Sequence, residues 1–207
     1  MRVVLATKNP GKLREFQALA QGSTGVELVL APDSLDVVED GATFEENAIK
    51  KAREAAELTG LIAIADDSGL EVDALGGRPG INSARYCDGT DADRRVKLLM
   101  ELESVPADQR GAAFVCAMAV CVPTGEVLFT TTAKWHGQIT FEERGNNGFG
   151  YDPLFLLPDR QKTSAEISPA EKNAISHRGQ AFSRTLEFLK RITSGQPIVE
   201  SKFGVQT

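Results

Sequence analysis

The stretch Leu61-Ile62-Ala63-Ile64-Ala65-Asp66-Asp67-Ser68-Gly69-Leu70 constrains this chain more than any other. The apolar run from Leu61 to Ala65, closed by turn formers, reads as a buried strand. It stops at two adjacent carboxylates, which repel one another and are costly to take out of water without a compensating cation. At the mouth of a buried strand such a pair suits a hard metal, Mg²⁺ above all, with phosphate oxygens completing the shell. The same Asp-Asp-Ser-Gly residues also make an ordinary solvated turn. Alone, the stretch leaves both readings open.

Composition narrows the setting. The 207 residues are 42% hydrophobic and 25% charged, which supports a real core and one domain built as two lobes, 1–192. Residues 193–207 lack periodicity and read as a loosely ordered tail. A net charge of −6 argues against nonspecific binding to nucleic acid or to an anionic membrane, yet permits a local basic pocket for a phosphorylated ligand. Cys87, Cys116 and Cys121 show no metal-type spacing, and an odd count argues against a disulfide framework. The start Met1-Arg2-Val3-Val4-Leu5 has no signal-peptide pattern, and the apolar runs are too short to span a bilayer. A reduced cytoplasmic protein is expected.

Several segments carry chemistry. Arg2 to Ala6 reads as a strand running into Thr7-Lys8-Asn9-Pro10-Gly11-Lys12 and a helix with Leu13, Phe16 and Leu19 on one face. Strand, polar loop and helix is a layout in which helix amides face an anion, although the Walker spacing is absent and such loops also carry Lys and Asn for solubility. After a strand at Val26 to Ala31 comes an acidic segment, then Thr43-Phe44-Glu45-Glu46 with capping-box spacing. Glu46 is thereby explained. Glu39, just ahead of the cap, is left for metal, water or solvent.

Asp91 to Glu103 is a predicted helix with Val96, Leu99, Met100 and Leu102 facing inward. Ala112 to Val122 and Glu126 to Trp135 flank Pro123-Thr124-Gly125 and read as a long hairpin, leaving His136 at a strand end on the surface. In Gly148-Phe149-Gly150-Tyr151-Asp152-Pro153, glycines permit positive φ while two aromatic rings suit stacking on a planar base; a turn anchored by aromatics fits equally. Lys172, His177 and Arg178 concentrate donors where an acidic protein has few reasons to, ahead of a last helix with Phe182, Leu186, Leu189 and Ile192 on its core face.

Taken in order, these segments resemble the inosine triphosphate pyrophosphatases (the HAM1/RdgB family, also called dITP/XTP pyrophosphatases). The matching residues are Thr7 to Lys12, Thr43 to Ala48, Ala65 to Leu70, Pro79 to Tyr86, Gly148 to Pro153, and Lys172 with Ser176-His177-Arg178, so the resemblance runs from Arg2 to Ile192. It implies an α/β fold with an elongated mixed sheet, flanking helices and two lobes around a central cleft, as a homodimer. It also implies hydrolysis of noncanonical purine nucleoside triphosphates (ITP, dITP, XTP) to the monophosphate and pyrophosphate, which cleanses the nucleotide pool.

The resemblance assigns roles residue by residue. Asp67 and Glu39 would hold Mg²⁺, and Asp67 would also accept the proton of the attacking water. Thr7, Lys8, Asn9, Pro10, Gly11 and Lys12 would hold the triphosphate, with Ser68 adding a donor. Phe149 would stack on the base beside Gly150 and Tyr151, while Asp152, Lys172, His177 and Arg178 line its edges. Arg178 aimed at a purine 6-oxygen would reject adenine, whose amino group leaves the donor unpaired at about 1–3 kcal/mol. Two competitors stand beside this reading: a Maf-like nucleotide pyrophosphatase with another base preference, and a nonhydrolysing nucleotide sensor. The Ser176-His177-Arg178 cluster speaks against the first, and the presence of both Asp66 and Asp67 against the second.

Overall fold

The computed structural model describes residues 1–21 and 25–195; the tail reading for 193–207 therefore falls largely outside the described residues. One mixed sheet runs through the chain. Its strands are β1 (Arg2–Ala6), β2 (Glu27–Leu30), β3 (Ala63–Val72), β4 (Pro79–Gly80), β5 (Gly111–Cys121), β6 (Val127–Ile139), β7 (Phe155–Leu157) and β8 (Lys162–Thr163). The spatial order is β2-β1-β3-β5-β6-β7-β8, with β4 on the side of β3. β1 is parallel to β2 and β3, and the remaining pairings are antiparallel.

The helices α1 (Pro10–Ala20), α2 (Phe44–Thr59), α3 (Asp91–Glu101), α4 (Pro169–Ile175) and α5 (His177–Thr193) cover the sheet. α2 starts where the Thr43 side chain accepts from Glu46 N and ends at Gly60 with φ 67°. Ala48, Ala52, Ala55 and Ala56 are fully buried against Ala63, Ala65, Ala117 and Ala119 of the sheet. Small residues on both surfaces let helix and sheet approach closely, and this carries Asn47 and Lys51 toward β3. On the other face α1 and α5 bury Phe16, Phe182 and Leu189 over Ile64, Met118 and Val120. A third core, with Leu98, Leu102, Trp135, Leu154 and Phe155, fills the far end of the long strands.

Two sequence expectations need correction. Asp66-Asp67-Ser68-Gly69 is not a turn at a strand mouth; it lies in the middle of β3. Continuous pairing with β5, from Ala63↔Cys121 to Val72↔Ala112, overrides local turn propensity. What ends at Asp66 is the other neighbour: β1 pairs only as far as Ala65, and β4 begins at Leu70. The two carboxylates thus sit on a strand edge left open between β1 and β4, and strand alternation sends them to opposite faces. Along α3 and its cap the inward residues are Leu98, Leu102 and, partly buried, Leu99, whereas Val96 is 54% and Met100 70% exposed. Asp91 and Arg95 set that rotation by holding Gly150 N and Gly150 O, at 2.9 and 2.8 Å.

Candidate active site

On the α2 face of β3, Asp67 is nearly buried. Its Oδ2 accepts from Asn47 Nδ2 at 3.1 Å, and its Oδ1 lies 3.5 Å from Lys51 Nζ. The same ammonium is 2.5 Å from Glu39 Oε1, and Arg85 lies 3.5 Å from Glu39 Oε2. Burial raises the Asp67 carboxyl above its ordinary value, the Glu39 and Asp66 charges add to that, and Lys51 and Lys12 pull the other way. Burial would also raise Glu39, yet Lys51, Lys12 and Arg85 hold it below its usual range. A raised carboxyl beside a depressed one is the division expected of a proton acceptor and a permanent anion.

Across the strand, Asp66 heads a chain of alternating charge. Its Oδ2 accepts from Ser68 Oγ at 2.6 Å, Lys12 Nζ lies 2.8 Å away, and Arg178 Nε 3.8 Å away. Burial opposes ionisation of Asp66, but Lys12, Arg178 and Lys51 outweigh it and keep its pKa far below the normal aspartate value. Arg178 continues to Glu15, Glu15 to Lys172 at 2.8 Å, and Lys172 to Asp152 at 2.5 Å. The network Lys12, Asp66, Arg178, Glu15, Lys172, Asp152 ties α1, β3, the aromatic loop, α4 and α5 together. Every buried charge in it has an opposite neighbour, the condition under which such burial is tolerated.

Beside this network lies a cleft open to solvent, lined among others by Lys12, Phe149, Tyr151, Lys172, His177 and Arg178. Phe149 rests on the start of α1, where a Cβ on Gly11 would come within 2.6 Å of its ring. Lys172 and Arg178 sit 5.1 and 5.6 Å from its centroid, in cation–π range. His177 stacks on Phe114 at 4.9 Å, and its buried Nδ1 has no hydrogen-bond partner among the described residues. Burial, with Arg178 and Lys172 adding to it, drives the His177 pKa well down, so the imidazole is neutral.

The structure brings Asn9, Lys12, Ser68, Phe149, Gly150, Tyr151, Asp152, Lys172, His177 and Arg178 into that one cleft. Others stand apart. Lys8 is on the surface with Asp36, 63% exposed, and Thr7 Oγ1 accepts from Asn9 N. Pro10 is the first residue of α1, and the Gly11 and Lys12 amides are already bound by the Asn9 side chain. Asp152 is internal to its loop, accepting from Phe149 N at 2.8 Å and Ser164 Oγ at 2.9 Å, and Tyr151 OH donates to Ser83 O. The residue sequence reasoning missed most plainly is Glu15. It falls three positions after Lys12 on α1, one turn on and facing the same way. Asn47 and Lys51, one turn apart in α2, were also passed over.

Comparison with known proteins decides the family. The model of the Ham1 family matches residues 3–188. The chain belongs to the Ham1 family. It is 52% identical over 186 residues to a dITP/XTP pyrophosphatase of Geobacter sulfurreducens, covering 88% of this chain and 93% of that one. Over 199 residues it is 51% identical to the dITP/XTP pyrophosphatase of Geobacillus kaustophilus, covering 94% and 97%. Among solved structures, a HAM1 protein of Coxiella burnetii superposes with a TM-score of 0.82 at 43% identity, covering 92% of this chain and 99% of that one.

Within this Ham1 chain the carboxylates also answer whether a divalent cation fits. Among the described residues no three His, Cys, Asp or Glu side chains gather as a closed cage. Mg²⁺ does not need one, since it takes one or two carboxylates and completes its shell with water and phosphate oxygens. Glu39 and Asp67 supply two that already converge on the Lys51 ammonium. The donor set therefore fits Mg²⁺. No helix among the described residues is long and apolar enough to cross a membrane.

Proposed function

We propose that this chain hydrolyses noncanonical purine nucleoside triphosphates, ITP, dITP and XTP, to the monophosphate and pyrophosphate, with Mg²⁺ held by Asp67 and Glu39. The activity follows the family to which the chain belongs, whose relatives are named dITP/XTP pyrophosphatases. The observation that carries the chemical reading is Asp67 itself: a carboxyl of raised pKa on the open edge of β3, facing Glu39 and Lys51.

Asp67 Oδ1 takes a proton from water as the water oxygen bonds to the α-phosphorus. The bond from that phosphorus to the bridging oxygen of the β-phosphate breaks, and pyrophosphate leaves. Lys12 beside Asp66 and Lys51 beside Asp67 are the cations assigned to the phosphates. The cation, when bound at Glu39 and Asp67, supplies neutralisation of phosphate charge.

Base choice follows from the donors at the cavity. Lys172 and Arg178 can only donate, and an N–H not taken by Glu15, Asp152 or Asp66 suits a 6-oxygen; an adenine amino group would leave that N–H unpaired at about 1–3 kcal/mol. Phe149 offers the face on which the purine stacks. These donors favour the ITP and XTP reading over a Maf-like base preference. A homodimer in the cytoplasm is the setting the resemblance implies. Support comes from three free cysteines and from Val96 and Met100, exposed one turn apart on α3. Light scattering at micromolar protein tests the dimer: a monomer mass would reject it. Consumption of ITP, against mere binding, separates the enzyme from a nucleotide sensor.

A further inference from the structure

We propose that Asn47 is a positioning residue for the hydrolysis, fixing Asp67 and the Glu39 segment relative to one another and dictating which Asp67 oxygen faces the reaction. The inference rests on the reading of Asp67 as the reacting carboxylate. Asn47 is 1% exposed, in the first turn of α2. It is not needed to start the helix, because Thr43 already caps Glu46 N. Instead its Oδ1 accepts from Gly41 N at 2.8 Å, and its Nδ2 donates to Asp67 Oδ2 at 3.1 Å. The orientation of the amide is forced: a backbone N–H only donates, so the oxygen faces Gly41 and the NH₂ faces Asp67.

The consequences reach both carboxylates. Asn47 engages Oδ2, while Oδ1 accepts from Ser68 N at 3.1 Å and faces Lys51 at 3.5 Å, and Oδ1 is the oxygen that takes the proton. Through Gly41, the same side chain pins the loop that carries Glu39 two residues earlier. That contact is close: a Cβ on Gly41 would lie 2.8 Å from Asn47 Oδ1 and 2.9 Å from Glu46 Cβ. One turn further along α2, Lys51 supplies the charge between Glu39 and Asp67. α2 therefore aligns the pair with one buried amide and offsets one of its two charges with one ammonium.

The test uses Asn47→Asp, which keeps the size and the acceptor for Gly41 but loses the donor to Asp67, and Asn47→Ala, which loses both. Pyrophosphate release from ITP should show kcat lowered about 10–100-fold, the usual effect of removing a group that orients a ligand or base. KM should move by less than about threefold, since Asn47 lies beneath Asp67 and touches no part of the nucleotide cavity. Folded variants with the parent kcat, or a loss confined to KM, would overturn the proposal. If neither variant folds, Gly41→Ala presses on the amide from outside and should give the same loss of kcat; an unchanged kcat there also overturns it. Asp67→Asn run in parallel separates the two readings. An active Asp67→Asn removes the premise, whereas an inactive one beside a fully active Asn47→Asp removes Asn47 alone.

Discussion

Lys51 Nζ lies 3.5 Å from Asp67 Oδ1 while also pairing with Glu39 at 2.5 Å. Burial opposes a charged Lys51, but Asp66, Asp67 and Glu39 more than offset it, so the pKa is raised and the ammonium is permanent. It holds two carboxylates together, and on the proposed metal site it would compete with the cation for them.

Lys51→Met should therefore strengthen Mn²⁺ binding in the absence of nucleotide by about tenfold, a modest share of the interaction of unit charges at this separation. Lys50→Met is the control, because Lys50 pairs with Asp40 on the outer surface at 2.6 Å and should leave Mn²⁺ affinity unchanged. Electron paramagnetic resonance titration reads both. Equal affinities in all three proteins would contradict the competition.

Glu15 links stability to pH. Burial would raise its carboxyl, but Arg178 and Lys172 dominate and lower it beneath the ordinary value of 4.5. A depressed folded pKa gives stability that is complete above the unfolded value and lost as pH falls through the folded one. Glu15→Gln should lose about 3 kcal/mol at pH 7, or less because Asp152 and Asp66 still partner the two cations. Urea unfolding at pH 7, 4 and 3 should show the gap between parent and variant closing as the medium becomes more acid. A gap independent of pH would reject the assignment.

Arg178→Ala tests base choice. The preference for ITP over ATP in kcat/KM should fall about tenfold or more, the value of one buried donor left unpaired by the wrong base. Loss of activity on both nucleotides with an unchanged ratio would show that Arg178 serves only the charge network with Glu15 and Asp66.

Gly179 closes the junction of α4 and α5, where a Cβ would fall 1.8 Å from Asn173 O. Gly179→Ala should destabilise the fold by about 1–3 kcal/mol through forced displacement of backbone. It should also raise KM for ITP, because this junction sets Lys172, His177 and Arg178 about one cavity. A parent-like melting temperature and KM would contradict this.

The residues that carry the site were legible mainly as types in order. Apolar β1 and the β5–β6 hairpin are local patterns that form as their patterns dictate, and Thr43 caps Glu46 N as expected, although the Glu46 carboxylate accepts from Ala42 N instead of closing a capping box on Thr43. The middle of β3 was not legible, since Asp-Asp-Ser-Gly is locally a turn and only the partner strand β5 makes it extended. The rotation of α3 was hidden for a related reason: Val96 and Met100 look like core until Asp91 and Arg95 are seen holding Gly150. Glu15, Asn47 and Lys51 were missed because their partners lie far along the chain. Glu15 meets Arg178 across 163 positions, and Asn47 meets Asp67 across 20. Helical periodicity placed them on faces without revealing what those faces meet.

The most direct test of the account is pyrophosphate release by the parent protein and by Asp67→Asn, from ITP, XTP, dITP, ATP and GTP, with Mg²⁺ and with chelator. The expected result is rapid release from ITP, XTP and dITP, little from ATP, none with chelator, and none from folded Asp67→Asn under any condition. Turnover by Asp67→Asn, or release from ITP that survives the chelator, would contradict the role given to Asp67 and its metal.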